Sequence, residues 1–470
     1  MSTSISELME LTRDYNNAFT AIYRLKTQEE EEIETIYQQI KKSLIETKCF
    51  SPSQIIEIIS SASVFNNRYM KSYLILFKKI YDEYKPTKLK HVKEFFCYFI
   101  YKEYGFNIND HVSFYEYQKQ NYSVEIFPEG TIYRAIMDDD IHTFVALIQV
   151  LEFNQELALI SELFPMKKSG LTYLEISCYY GSVKIFNYIK SELYAEITKE
   201  CLEFAFLGGN ADIINDLINK IQALSLNDMK YAIISHNIDY VCYLKNEAHV
   251  PIIPYDCIKY HNIHAYIVYL DSLTNFKEDF GNSILFNYPS ICEFLISRGG
   301  TINYIKTFYY NKKPILHIAS EYCNGKIIDI LISQGADIFQ KNEYKQTALH
   351  IALKNNNIDA AEKLISRGVN IKAKDDISKQ RALHMAAKTN SVKIVEVLLS
   401  HGEKIDITNN DGETPLHYAV YNNCKETVEF LISHGADINA KTKRGKSALD
   451  YARSRHNLEI EKILVSYGAL

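Results

Sequence analysis

The chain has 470 residues, beyond the usual size of one domain, and its 47% hydrophobic content can fill a packed interior. Charged residues make up 23% and the formal net charge is −6, so the basic excess of a nucleic-acid binder is missing. The nine cysteines contain no C-x-x-C pair and lie among apolar residues, which argues for reduced core thiols in a cytoplasmic or nuclear protein rather than a disulfide framework.

The opening MSTSISELMELTRD lacks the basic start and apolar run of an export signal. Leu8, Leu11, Tyr15, Phe19 and Ile22 recur at helical steps, as do Ile33, Ile36, Ile40 and Leu44. Between them QEEEEIE, from Gln28 to Glu34, suits the first turn of a helix, where the backbone dipole favours carboxylates. Further helices are expected after Ser51-Pro52 and from Asn67, with Tyr69, Tyr73, Leu76, Phe77 and Ile80 as an apolar stripe. The most apolar window, EFFCYFIYKEYGF, is broken by charge well short of the ~18 to 20 residues that span a bilayer. Residues 1–127 are expected to form a separate all-α domain.

From about Pro128 the pattern changes. Asp138, Asp139 and Asp140 form a run of carboxylates best placed in a solvated turn. LTYLEISCYYGSVKIFNYIK holds two apolar helical runs split by Gly181, and LEFAFLGGNADIINDLI, KYAIISHNIDYVCYL and CIKYHNIHAYIVYL follow at shorter steps. One step, His236 to His261, is 25 residues, enough for two helices and tight turns but little else. His261 and His264 have the spacing of two metal ligands on a helix, but alignment with His236-Asn237 makes them surface or turn residues.

Beyond residue 276 a period emerges. Leu316-His317, Leu349-His350, Leu383-His384, Leu416-His417 and Leu449-Asp450 are separated by 33, 34, 33 and 33 residues. The first half of each unit reads PILHIA, TALHIA, RALHMA, TPLHYA or SALDYA; the second reads DILISQGADI, EKLISRGVNI, EVLLSHGEKI, EFLISHGADI or KILVSYGAL. Thr414 suits a helix cap and Pro415 the first helical position, where its missing N–H had no partner. Ala319, Ala352, Ala386 and Ala419 allow close helix approach. Asn356, Asn390 and Asn423 occupy the turn between helices, and Gly335, Gly368, Gly402, Gly435 and Gly468 end the second helices, both places that call for a left-handed backbone. Gly412 and Gly445 mark hairpin tips.

These motifs resemble the ankyrin repeat, T-P-L-H-x-A followed by a second helix and a β-hairpin, with Asn replacing the family's glycine at the inter-helix turn. The resemblance implies that His317, His350, His384 and His417 tie the Thr hydroxyl and neighbouring backbone together, and that Asp450 belongs to a terminal unit with no successor. It also implies degenerate ankyrin-like units over 128–275 and regular repeats with a C-terminal cap over 276–470. The arrangement is similar to a family of protozoan ankyrin proteins with an N-terminal helical domain and a middle segment of unknown function.

The expected fold is therefore mainly all-α, an ankyrin-repeat solenoid with short β-hairpins behind an N-terminal helical domain. No phosphate loop, H-E-x-x-H zinc motif or calcium loop is present, and lysine pairs at 41-42, 78-79, 167-168 and 312-313 are dispersed. The expectation is a non-catalytic scaffold or adaptor for protein partners, with no cofactor, metal, nucleic acid or membrane. Its alternative is the recognition subunit of a modifying enzyme, with residues 1–127 recruiting or supplying the activity. Candidate partner-binding positions are Ile351, Lys354, Met385, Lys388, Tyr418 and Tyr421 on first helices, taken as exposed, and Tyr344, Lys379, Asn410 and Arg444 near the tips. The 36 tyrosines against no tryptophan reflect a compositional bias, which reduces the weight of any one tyrosine.

Overall fold

The computed structural model describes residues 3–86, 89, 91–108, 114–119, 122–150, 158–165, 170–221, 223–273, 280–300, 302, 314–376 and 378–470; Lys167-Lys168 and Lys312-Lys313 lie outside them. The chain divides into two compact units, Met1–Leu273 and Thr274–Leu470. Among the described residues the regular structure is helical, with isolated bridges Leu159 to Leu171 and Lys341 to Thr347 in place of strands.

The first unit begins with α1 (Thr3–Leu11), α2 (Arg13–Tyr23), α3 (Glu30–Ile40), α4 (Pro52–Ala62), α5 (Met70–Tyr84), α6 (Glu94–Tyr104) and α7 (Tyr115–Lys119). The expected stripe of α5 is buried at Tyr73, Leu76, Phe77 and Ile80. Ser51 caps α4 in a reciprocal box with Gln54, and Pro52 takes the first turn. The acidic run supplies Glu30, Glu31 and Glu32 to the first turn of α3, while Glu34 pairs with Lys79 at 2.6 Å. Leu11 departs from its expected stripe and is 45% exposed. The helix is interrupted at Thr12, whose hydroxyl donates to the Leu8 carbonyl at 2.8 Å.

Five helix pairs follow: α8 (Ile132–Asp138) with α9 (Ile141–Val150), α10 (Tyr173–Tyr180) with α11 (Val183–Ser191), α12 (Lys199–Gly208) with α13 (Ala211–Lys220), α14 (Leu226–Ile234) with α15 (Ile238–Asn246), and α16 (Pro254–Lys259) with α17 (Ile263–Leu270). First helices stack on first helices, α10 on α12 and α12 on α14. At the turn within each pair one residue has positive φ: Asp139 (53°), Gly181 (71°), Gly209 (70°), His236 (51°) and His261 (55°).

The N-terminal helices lean on this row of turns. Phe19 stacks on His261 with ring centroids 4.5 Å apart, and Tyr23, one helical turn later on α2, stacks on His236 at 4.7 Å. Next to α5, the Asn67 N–H donates to the Tyr179 hydroxyl at 3.0 Å, and the Tyr180 hydroxyl donates to Asn67 Oδ1 at 2.8 Å. Residues 1–127 lack the repeat period, yet their aromatic faces are buried against repeats within one compact unit.

The second unit opens, among the described residues, with a shortened pair: α18 (Phe280–Ser283), a 3-10 turn Ile284–Phe286, and α19 (Pro289–Ser297). Regular pairs follow: α20 (Ile315–Tyr322) with α21 (Gly325–Ser333), α22 (Ala348–Lys354) with α23 (Ile358–Ser366), α24 (Ala382–Lys388) with α25 (Val392–Ser400), α26 (Pro415–Tyr421) with α27 (Lys425–Ser433), and α28 (Ala448–Ser454) with α29 (Leu458–Ser466). Ala319, Ala352, Ala386 and Ala419 are fully buried between stacked first helices. Asn356, Asn390 and Asn423 have φ of 58°, 57° and 58°, and the glycines after the second helices are likewise left-handed. The hairpins are one hydrogen bond deep: Asn409 N–H donates to Glu413 O at 3.1 Å and Thr442 N–H to Lys446 O at 2.9 Å, around turns at Gly412 and Gly445.

Candidate functional site

Three successive regular repeats begin with a histidine cap that also links each to the next. The Thr414 N–H donates to His417 Nδ1 at 3.2 Å, and the Thr414 hydroxyl lies 2.8 Å from the same nitrogen. Because Nδ1 accepts from a backbone amide, the proton sits on Nε2, which donates to the Lys446 carbonyl of the next repeat at 3.2 Å. His350 makes the same bridge to the Gln380 carbonyl at 3.3 Å, and His384 to that of Glu413 at 3.2 Å. Burial holds all three imidazoles below their usual pKa, His384 down to about 4. Pro314 has no N–H to offer, so His317 keeps the forward bond, to Gln346 O at 2.9 Å, without the same cap.

The degenerate repeats preserve this joint with different chemistry. Glu175, fully buried, accepts from the Thr172 N–H at 3.0 Å and from the Thr198 hydroxyl of the next repeat at 2.7 Å. Asp228 closes the equivalent box on Ser225. In α28 Asp450 takes the place of the histidine and accepts from the Ser447 N–H at 2.9 Å.

The left-handed turn residues provide a second link, which sequence reading treated only as tolerated departures from glycine. Asn390 Oδ1 accepts from the Thr427 N–H at 3.2 Å and its hydroxyl at 2.8 Å, at the start of the next second helix. Asn287 accepts likewise from the Asn324 N–H at 2.6 Å, and Asp139 from the Lys184 and Ile185 N–H groups at 3.1 Å. The Asp138 to Asp140 run is thereby resolved into three structural roles. Asp138 pairs with Arg134, Asp139 caps the following repeat, and Asp140 accepts from the His142 and Thr143 amides of its own. The signal available was that Asn and Asp both tolerate positive φ and carry a capping oxygen.

Backbone bonds also join consecutive tips: Asp376 N–H to Tyr344 O at 3.1 Å, Asn410 N–H to Ser378 O at 3.0 Å, and Lys443 N–H to Asp411 O at 2.8 Å. Of the positions singled out for partner contact, Tyr344, Lys354, Lys388, Asn410, Tyr421 and Arg444 are exposed. Ile351 and Met385 are not, each being 8% accessible. The reason is register: the equivalent residues Tyr418 and Tyr451 lie edge-on against His384 and His417 of the preceding repeats, at 5.5 and 5.4 Å. Tyr418 is half-buried and accepts from both the Gln380 side-chain amide, at 2.8 Å, and that of Asn409, at 2.9 Å, making it a joint between tips. Lys379, half-buried with φ of 55°, pairs with Asp376 at 2.7 Å and holds its own turn.

Among the described residues no group of three or more His, Cys, Asp or Glu side chains is placed to hold a metal ion, and no helix is long and apolar enough to cross a membrane. His261 packs between Phe19 and Phe50 instead. None of the nine cysteines forms a disulfide, and eight are buried.

Stacked helix pairs, joined by buried caps and presenting a row of tips, define an α-solenoid of the protein-interaction class. Residues 282–375 and 383–470 match the family model for ankyrin repeats, and residues 193–269 that for a domain of unknown function (DUF3447). Over these segments the chain carries ankyrin repeats, with that domain in its middle segment. It is 33% identical over 82 residues to an ankyrin repeat protein of Acanthamoeba polyphaga mimivirus, covering 17% of this chain and 51% of the relative. It is also 33% identical over 85 residues to an ankyrin repeat protein of Fowlpox virus (strain NVSL), covering 18% of this chain and 25% of that relative. The match thus spans about half the length of the first relative and a quarter of the second.

Proposed function

We propose that the chain is a non-catalytic adaptor that binds partner proteins along the first-helix face and tips of its regular repeats. Ankyrin repeats act in protein–protein interaction in general, and the observation that supports this face is a division of labour along each first helix. The histidine is buried and the residue after it buried or half-buried in joints, whereas the last position of three successive helices, Lys354, Lys388 and Tyr421, remains open to solvent. A rigid row of such positions at repeat spacing offers an extended surface with little entropy left to lose on binding.

The test is affinity capture on the full chain, comparing wild type with Tyr344→Ala/Lys354→Glu/Lys388→Glu. Loss of one or more retained proteins, with an unchanged thermal melt, is the expected result. Equal recovery of every retained protein would remove this face from the reading.

A further inference from the structure

Within the regular repeats, the last carries the densest run of positive charge. From Lys441 to Arg455 there are six cationic side chains and the single carboxylate Asp450, in a chain whose formal net charge is −6. Lys441, Lys443, Arg444, Lys446 and Arg455 are exposed. Arg453 pairs with Glu461 at 2.9 Å, and Asp450 is engaged by its own cap.

At earlier tips some cations are neutralised locally, while Lys341, Lys372, Lys374 and Lys404 stand singly or in a pair rather than as a group of four. Lys345 and Lys379 share Asp376 at 3.2 and 2.7 Å, and Arg381 pairs with Glu403 at 2.9 Å. Among the described residues no ion pair engages the four cations of the last tip. They are gathered by a turn at Gly445 and a single closing hydrogen bond, and Asp450, near Lys446, offsets only part of their mutual repulsion.

An aromatic strip continues the patch where the end of α26 meets α28. The Tyr421 and Tyr451 rings meet edge-on at 6.0 Å, and the Arg455 guanidinium lies 4.0 Å from the Tyr421 ring centroid. Tyr451 and Arg455, four residues apart, share one helix face. From Lys446 to Arg455 this surface runs about 13 Å, the reach of about four extended residues.

We propose that the tip Lys441–Lys446 and the adjoining Tyr421 and Arg455 bind a short acidic segment of a partner protein, with Tyr451, held by its hydroxyl bond to Glu413 at 2.6 Å, as their backing. This rests on the adaptor reading above and names the chemistry of its partner. A polynucleotide fits less well, because the preceding tip, Glu403 to Glu413, holds four carboxylates against Lys404, confining the positive field to one repeat.

The test titrates the full chain into a fluorescein-labelled ten-residue peptide of alternating Glu and Gly, the same peptide with Gln for Glu, and a single-stranded DNA ten-mer. Lys441→Glu/Lys443→Glu/Arg444→Glu/Lys446→Glu is compared with Lys341→Glu/Lys372→Glu/Lys374→Glu/Lys404→Glu, an equal charge change on other exposed tips. The expected result is Glu-peptide binding at least about tenfold tighter than Gln-peptide binding and weakened by salt, lost about tenfold or more in the first variant and about twofold in the second. Equal losses in both variants, no preference for Glu over Gln, or tighter binding of the DNA would overturn the proposal. If captured partners depend on Lys354 and Lys388 while the Glu peptide shows no preference, the adaptor reading stands and this one fails. If the peptide binds as expected but no captured protein depends on Lys354 and Lys388, the failure lies in the extended face. Circular dichroism melts of both variants guard against misfolding.

Discussion

His417 shows how one side chain can serve two repeats, and what could replace it. It accepts from the Thr414 amide through Nδ1 and donates to the Lys446 carbonyl through Nε2. Glutamine can do both, with Oε1 accepting and Nε2 donating. Glutamate can do only the first, because its second oxygen would face a carbonyl; Glu175 succeeds because its forward partner is the Thr198 hydroxyl, a donor. Urea denaturation at pH 7 is therefore expected to rank stability as wild type, His417→Gln, His417→Ala, His417→Glu, with the alanine variant losing about 2 to 4 kcal/mol. A ranking with Glu above Ala would contradict the donor assignment. The same geometry gives a pH dependence. Because His350, His384 and His417 have folded pKa values below the ordinary 6.5, the folded state favours the neutral rings. Their contribution is complete above pH 6.5 and falls as the pH drops toward the folded value, about 4 for His384, at up to about 1.4 kcal/mol per pH unit for each ring. Glu203 acts in the opposite direction. Burial first, then the nearby charges of Asp228 and Glu200, raise its carboxyl to about 7, so the folded state resists its ionisation. Discounted for its partial exposure, the penalty above pH 7 is about 1 kcal/mol. Glu203→Gln is expected to stabilise the protein by that amount at pH 8 and to be neutral below pH 4.5, as paired chemical melts would show.

At the scale of the element, the left-handed turn tests whether local strain or the link between repeats matters more. Glycine at 390 would relieve a φ of 57°, a gain of a few tenths to 1 kcal/mol, but would remove the two bonds to Thr427, worth about 0.5 to 1.5 kcal/mol each. Asn390→Gly is thus expected to destabilise by about 1 kcal/mol, although it restores the residue usual in the family, and Asn390→Ala by about 2 to 3 kcal/mol because the strain remains. A more stable glycine variant in thermal melts would show that the cap contributes little. This joint also marks where sequence reading stops. The repeat period, the capping residues, the small alanines and the glycine stops were legible because each recurs in register, so chance is averaged away. The acceptor role of Asn390 was not, since its partner lies 37 residues ahead and a tolerated residue looks the same as a functional one. Ile351 and Met385 were misjudged for a related reason. Helical spacing places them on the same side as Lys354 and Lys388, but in a seven-residue helix flanked by neighbours only the last position clears the next repeat.

At the scale of the molecule, the N-terminal helices raise a question that no repeat period could answer: what their aromatic residues pack against. Phe19 and Tyr23 lie one turn apart on α2, and His261 and His236 occupy successive left-handed turns, so one helix face spans two repeats. The Tyr260 carbonyl, 2.9 Å from His236 Nε2, adds a bond between those repeats beneath the aromatic layer. Degenerate units of this kind have lost the hairpins that stitch the regular repeats together, and α2 bridges their turns from outside. On this argument the helix is part of what makes those repeats cooperate. Phe19→Ala, which removes a fully buried ring, is expected to cost about 3 to 5 kcal/mol. Native-state hydrogen exchange on the full chain would locate the loss, with faster exchange at amides around Ile233 to Asn237 and Ile258 to Asn262 as well as in α2. If exchange rose in α2 alone, the helix would merely rest on a row of turns that is stable without it. Coupled loss at both turns would mean that a one-copy segment takes over the role that hairpin stitching plays in the regular array.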